Sequence, residues 1–242
     1  MLNSIGLANP GVEGFISEAI PFLKDVRCAR IVSIAEETEK EFAKLLGIIA
    51  PLEPVDAIEI NISCPNVEKG GMSFGIDPIV VSRLFDTFRK ITDKPLWAKL
   101  TPNVTDIVDI GKAAVNSGAD ALVAINTLVG MDIDIATCTP RIGNITGGLS
   151  GPAIKPIALA KVFALHSALP NVPIIGSGGI TSPGDAIAHM LAGASAIQVG
   201  SGIFANPMLP LEIIENIETY CVGMDFPRAA DLTGYLIIPE KK

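Results

Sequence analysis

The densest chemistry in this 242-residue sequence lies in one short segment, Asn61-Ile62-Ser63-Cys64-Pro65-Asn66. A thiol flanked by two amides suits acid–base work on a small polar ligand. Amides offer paired donors and acceptors, and a thiol with an ordinary pKa of about 8.5 becomes a base once part of it is thiolate. Most free cysteines are small buried hydrophobes. The place of Cys64 after a strand end, between Ser and Pro, points away from that. Lys99 is a lone charge in the apolar run Leu96-Trp97-Ala98-Lys99-Leu100. Burying it alone is costly, so it needs an anion or an electron-rich partner; a structural ion pair answers the same need. Asn126-Thr127 follows another apolar run. Glycines cluster at Gly176-Ser177-Gly178-Gly179, at Gly200-Ser201-Gly202 and at Gly147-Gly148-Leu149-Ser150-Gly151. Glycine lets backbone N–H groups approach an anion closely, so two clusters at consecutive strand ends suggest phosphate. Plain turns are the competing reading. His166 and His189 fall in helical stretches away from the strand ends, where structural or surface roles fit them. That leaves a Ser-His-Asp or Cys-His triad without a base.

These residues require a scaffold that gathers strand ends. The sequence repeats one unit: a short β-branched run, a loop with Gly, Asn or Pro, then a stretch of helical period. Strands are expected at Ala29–Ile34, Asp56–Ser63, Pro95–Leu100, Ala121–Asn126, Pro173–Gly176 and Ala196–Gly200. Amphipathic helices are expected at Glu37–Ile49, Pro78–Ile91, Val104–Ser117, Ile154–Ala168 and Pro183–Ala192. Ser182 can cap the last of these, with Pro183 at its first position and Gly193 at its end. Repeated βα units imply a parallel sheet with right-handed crossovers. No GxGxxG follows a strand, so the dinucleotide fingerprint is absent. Polar and glycine-rich residues at many C-terminal strand ends favour a TIM (β/α)8 barrel over an open sheet, with six of eight βα units visible and residues 1–242 forming a single domain.

Composition narrows the function. Hydrophobic residues make up 49% and the mean hydropathy is +0.47, yet no apolar run reaches the roughly 18 residues of a membrane helix. Strands buried on both faces explain the excess. The net charge of −8 and the lack of a Lys/Arg cluster argue against nucleic acid. The N-terminus lacks a basic start and a long apolar core, so it does not read as a signal peptide. Cys28, Cys64, Cys138 and Cys221 form no CxxC pair and match no zinc spacing. No metal and no iron–sulfur cluster is expected on this chain, and free thiols fit the cytoplasm.

Together the motifs resemble class 1 dihydroorotate dehydrogenases, most closely the subtype 1B, NAD-linked catalytic subunit. The resemblance rests on Asn3-Ser4-Ile5-Gly6-Leu7 with Asn9-Pro10-Gly11-Val12, on Asn61 to Asn66, on Lys99 to Asn103, on Ile125-Asn126-Thr127, on Gly147 to Pro156, on Gly176 to Ile180 and on Gly200-Ser201. It implies a TIM barrel with FMN at its C-terminal mouth, and oxidation of (S)-dihydroorotate to orotate in pyrimidine (UMP) biosynthesis. Cys64 would remove the C5 proton while hydride passes to FMN. It implies FMN contacts from Ser33, Asn61, Lys99, Ile125, Gly151, Gly178, Gly179, Gly200 and Ser201. It implies pyrimidine contacts from Asn3, Ser4, Ile5, Gly6, Leu7, Asn61, Asn66, Asn126 and Thr127. For partners it implies a homodimer core of a heterotetramer, with an electron-transfer subunit that carries FAD and [2Fe–2S] and reduces NAD.

The sequence departs from the family pattern at Glu36, where a small residue is usual, and at Ser201, where threonine is usual. Two βα units, roughly 60 residues at ~250 per barrel, are expected before the first motif. A truncated, non-catalytic barrel fragment and an FMN enzyme for another dihydropyrimidine are the alternative expectations.

Overall fold

A computed structural model describes residues 1–63 and 74–239. Cys64 and Asn66 lie outside the described residues. The chain divides into two compact units. One holds Ile5–Leu100 and Asp109–Leu122; the other holds Met1–Ser4, Thr101–Val108 and Val123–Lys242.

In the first unit, strands β1 (Ile31–Ile34), β2 (Ala57–Asn61) and β3 (Leu96–Lys99) are parallel neighbours. The Asp120 N–H donates to Leu96 O at 2.8 Å and leads into β4 (Ala121–Ala124). Every residue of β2 is buried, as a strand covered on both faces requires. Helix α1 (Glu39–Ile49) follows β1. Thr38 starts it: its hydroxyl accepts from the Glu41 N–H at 3.2 Å and donates to the Glu41 carboxylate at 2.7 Å. The first of these bonds satisfies one N–H that the helix start leaves open. Phe42, Leu46 and Ile49 recur at three- and four-residue steps and are buried. Helix α2 (Pro78–Arg89) starts at Asp77, which accepts from the Ile79 N–H at 2.8 Å. It buries Val81, Leu84, Phe85 and Phe88. The rings of Phe42 and Phe88 meet at 5.7 Å and those of Phe85 and Phe88 at 6.0 Å. Each such side chain contributes about 1.5–3 kcal/mol by leaving water. Helix α3 (Ile107–Asn116) precedes β4.

In the second unit, α4 (Lys155–Ala168) precedes β5 (Ile174–Ser177), and α5 (Pro183–Leu191) links β5 to β6 (Ala196–Gln198). The two strands are parallel, with Gly176 opposite Ile197 and Ser177 opposite Gln198. The Ile125 N–H, just past β4, donates to Ser177 O at 2.9 Å. Ser182 caps α5 and Pro183 opens it, as expected. Helix α6 (Leu209–Gly223) packs Leu209 and Ile213 with Ile180 and Ala186. Among the described residues, parallel strands alternating with helices give the expected α/β class.

The structure adds elements that the pattern of residues does not signal. Leu2–Asn3 pairs antiparallel with Gly147–Leu149, which pairs antiparallel with Leu128–Gly130. A hairpin joins Ile133–Asp134 to Thr139–Pro140. Helical turns occupy Gly11–Gly14, Phe15–Ala19 and Ile20–Leu23. Glycine is depleted in strands, so Gly147-Gly148 reads as a turn. It is a strand because the backbones come too close for a side chain. A Cβ at Gly147 would lie 2.4 Å from Asn3 O, and one at Gly148 would lie 2.5 Å from Thr127 Oγ1.

Candidate active site

The ends of β1, β2 and β3 bring together four of the expected residues or their neighbours. Pairing register places Ser33 opposite Glu59, and Asn61 opposite Lys99. Alternation puts Ser33, Glu59, Asn61 and Lys99 on one face. Glu59 sits at its centre, only 2% exposed. It accepts from the Ser33 hydroxyl at 2.7 Å and lies 3.4 Å from Lys99 Nζ. The lysine thus has an anionic partner within the protein, diagonally across the strand pair. Glu59 escaped the sequence reading. The available signal was a carboxylate inside the apolar run Ala57-Ile58-Glu59-Ile60, one strand from a lone lysine. Asn61 is 9% exposed, and its Oδ1 accepts from both the N–H and the hydroxyl of Ser63. That fixes the amide's orientation, with the oxygen turned toward the chain that leads to Cys64.

A cavity of about 860 Å3 opens beside this group, lined by Leu7, Phe15, Ser33, Glu36, Leu45 and Asn61 among others. Ile5 and Leu7, expected at the substrate, are 76% and 52% exposed. Burial raises the Glu36 carboxyl above its ordinary range, and the carboxylates of Glu41 and Glu37 add to the shift. The glutamate that departs from the family pattern therefore stands in the cavity wall, three residues from Ser33.

The second unit gathers its own residues. Asn3 donates from Nδ2 to Gly148 O at 3.5 Å, and Gly148 lies against Thr127. Asn126 Oδ1 accepts from the Thr127 N–H at 2.8 Å. Asn103 braces this strand end. Its Nδ2 reaches Thr127 O at 3.1 Å, and its Oδ1 takes the Val129 N–H at 3.0 Å. Asn3, Asn126 and Thr127 are thus neighbours, although far apart in sequence.

The glycine clusters meet in the same unit. Gly178 (φ +119°) and Gly179 (φ +75°) follow β5 in conformations that other residues rarely adopt. A Cβ at Gly178 would sit 3.5 Å from the Ile125 side chain, and one at Gly151 would sit 3.9 Å from Ser201 Oγ. A Cβ at Gly200 would meet nothing within 4 Å. Gly200 faces open space, and Gly178 and Gly179 bend a turn of bare backbone. Behind it, Asp185 accepts from the Thr181 N–H at 3.0 Å, from the Thr181 hydroxyl at 3.1 Å and from Lys155 Nζ at 2.5 Å. Burial pushes the Asp185 carboxyl up, but hydrogen bonds from Lys155, Thr181 and Ser182 outweigh it and hold the pKa at about 2. His189 is fully buried against the same turn. Neither Asp185 nor His189 was among the expected site residues.

No helix among the described residues is long and apolar enough to cross a membrane. The family model for dihydroorotate dehydrogenase matches residues 1–220. The chain is 51% identical over 236 residues to the catalytic subunit of dihydroorotate dehydrogenase B (NAD(+)) from Alkaliphilus oremlandii, covering 98% of this chain and 78% of that one. It is 48% identical to the corresponding subunit from Pelobacter propionicus, covering 98% and 77%. It is 45% identical to a putative dihydroorotate dehydrogenase A (fumarate) from Aquifex aeolicus, covering 97% and 77%. A crystal structure of DHODH from Eimeria tenella, in complex with ferulenol, shares the fold with a TM-score of 0.71 at 22% identity, covering 87% of this chain and 62% of that one. These likenesses run through the strand ends described above, and the chain belongs to the dihydroorotate dehydrogenase family of oxidoreductases.

Proposed function

We propose that the protein oxidises (S)-dihydroorotate to orotate on the route to UMP, with FMN as cofactor and Cys64 as base. The observation that carries this reading is family membership over residues 1–220, which takes in both the Cys64 segment and the glycine-lined strand ends.

FMN fits the residues present. Its phosphate suits the bare backbone of Gly178, Gly179 and Gly200 with the Ser201 hydroxyl, because N–H groups and a hydroxyl there can donate to an anion. Gly151 and Ile125 complete that set. Lys99 offers a positive charge to the flavin, and Ser33 and Asn61 offer polar contacts. Bound FMN would accept the hydride that leaves C6 of the substrate.

The remaining chemistry belongs to side chains. Cys64 takes the C5 proton, so its thiolate fraction, and with it the rate, rises toward alkaline pH. Asn61, Asn66, Asn126 and Thr127, with Asn3 and the Ser4–Leu7 segment, offer the donors and acceptors that hold a pyrimidine edge in register. Orientation by Ser63 leaves the Asn61 NH2 for the ligand.

No GxGxxG follows a strand of this chain, so its electrons need an outlet. We assign that role to a second subunit with FAD and [2Fe–2S] that reduces NAD, on a homodimer of this chain, in the cytoplasm. The names of the Alkaliphilus and Pelobacter relatives, catalytic subunit and NAD(+), support a separate partner subunit and NAD as the acceptor.

Anaerobic stopped-flow reduction by dihydroorotate tests the chemistry. Cys64→Ala is expected to keep the flavin and to slow reduction about 100-fold or more, the usual share of a general base. Reduction at wild-type speed in that variant removes Cys64 from the mechanism. Efficient fumarate reduction by the lone subunit, with no gain in NAD reduction on adding the partner, removes the heteromeric assignment.

A further inference from the structure

We propose that His189, on α5, is a positioning residue that aims the Gly179 N–H at the phosphate of the flavin nucleotide. The inference rests on the reading above that this phosphate sits on the β5 turn.

The imidazole is fully buried, and its Nε2 lies 3.0 Å from Gly178 O. A carbonyl oxygen only accepts, so Nε2 carries the proton and Nδ1 is bare. Nδ1 has no partner among the described residues. A buried acceptor left unpaired is costly, so a histidine fills this core position less well than an apolar side chain. The bond to Gly178 is what the histidine supplies and an apolar residue cannot. Gly176 makes room for it, since a Cβ there would lie 2.7 Å from Nδ1.

Peptide geometry turns that bond into a direction. Across a trans peptide the Gly178 C=O and the Gly179 N–H point opposite ways. With the carbonyl tied to the ring behind the turn, the N–H faces away from α5. Two flanking glycines at positive φ leave this peptide plane free to rotate unless something holds it. Asp185 is four residues before His189, on the same face of α5, and fixes the outgoing chain through the Thr181 N–H and hydroxyl. One helix thus grips the turn at both Gly178 and Thr181.

FMN and riboflavin differ only in the phosphate, so their affinity ratio reads this contact directly. Apoprotein of the wild type, His189→Phe and His189→Gln would be titrated with each flavin by fluorescence. In His189→Phe the preference for FMN over riboflavin should fall about 5- to 10-fold, the worth of one hydrogen bond, with riboflavin affinity unchanged. His189→Gln, whose amide N–H can reach the same carbonyl, should keep the preference. His189→Leu serves in place of the phenylalanine variant if that does not fold. Equal weakening of both flavins, or an unchanged ratio, overturns the inference. A wild type that binds both flavins equally overturns instead the phosphate placement beneath it, and the two failures are told apart before any variant is made.

Discussion

Two strand-end regions solve the same problem, presenting polar groups at the edge of an apolar core, in opposite ways. At β1–β3 the groups are side chains, and their charge is balanced internally: Glu59 is buried between Ser33 and Lys99. At β5–β6 the polar surface is backbone, and the side chains stand behind it, with Asp185 and His189 gripping the turn. The first region carries its polarity in ionic side chains, Lys99 and Glu59, held by register across three strands. The second is set by chain geometry, with Gly178 and Gly179 at positive φ.

If the second region is set by backbone shape, adding one carbon should damage it most. A Cβ at Gly179 would lie 2.7 Å from Lys155 N and Cα, at a φ of +75°. Backbone cannot move aside as a flexible side chain can. Gly179→Ala should cost about 3 kcal/mol or more, from the unfavourable φ and the overlap together. Gly200→Ala meets nothing within 4 Å, so its stability should stay within about 0.5 kcal/mol of wild type while flavin content falls. Denaturant midpoints and flavin absorbance on the two variants test the contrast. Equal stability losses would show that the glycines are ordinary turns.

The first region should break through its buried charge. Glu59→Leu removes the carboxylate beside Lys99 and the acceptor of the Ser33 hydroxyl. Losing one partner of a buried pair costs about 3–5 kcal/mol, but the Lys99 side chain is 20% exposed and water can reach it, so about 2–3 kcal/mol is expected. Adding Lys99→Met should recover part of the loss, with a coupling of at least about 1 kcal/mol across the double-mutant cycle. Additive losses would mean that the pair is incidental to stability.

The same division explains what the sequence made legible. The strand–helix repeat was visible because parallel strands and amphipathic helices carry different periods. Five of the six strands fall inside the expected ones, one or two residues shorter at some ends, where loop backbone takes over; Ile174–Ser177 instead runs one residue past the expected Gly176. Lys99, Asn61 and the glycine clusters stood out because each breaks an apolar context. Their supports did not. Glu59 matters through register, placed opposite Ser33 and diagonal to Lys99, and a single strand does not encode register. Asp185 and His189 read as ordinary residues of α5, and only folding brings them against Gly178 and Thr181. Pairing between residues 2–3 and 147–149 was hidden for the same reason, with the further disguise that its central residues are glycines.

Asp185 gives the next smaller effect, and a window in pH. Its carboxyl is held at about 2 against an ordinary 3.8. A depressed carboxyl stabilises the fold above about pH 4, and that contribution is lost as pH falls toward 2. The shift corresponds to about 2 kcal/mol. Asp185→Asn should lose about that much at pH 7 and show a flatter decline between pH 4 and 2. Urea titrations at fixed pH read both. A wild-type slope in the variant would assign the acid loss to other carboxylates.

His189 gives the smallest effect, in a different window. Burial depresses its imidazole below the ordinary 6.5. The bond to Gly178 O and the charge of Asp185 oppose the shift, and Lys155 reinforces it. The neutral ring is therefore the form the fold accepts, in keeping with a bare Nδ1 that has no partner among the described residues. Protonation would place a second N–H, and a charge, against the Gly176 backbone. A group whose folded pKa lies below its unfolded value contributes stability above the unfolded pKa and loses it as pH falls. Stability should thus begin to decline below about pH 6.5, before Asp185 titrates. His189→Phe should remove that early part of the decline and leave the Asp185 window intact. His189→Gln should do the same while keeping the turn in place, so the two variants would share a pH profile of stability and differ in their preference for FMN over riboflavin. If both variants kept the wild-type decline just below pH 6.5, the buried histidine would not be the group that titrates there, and the two anchors of the turn could no longer be separated by pH.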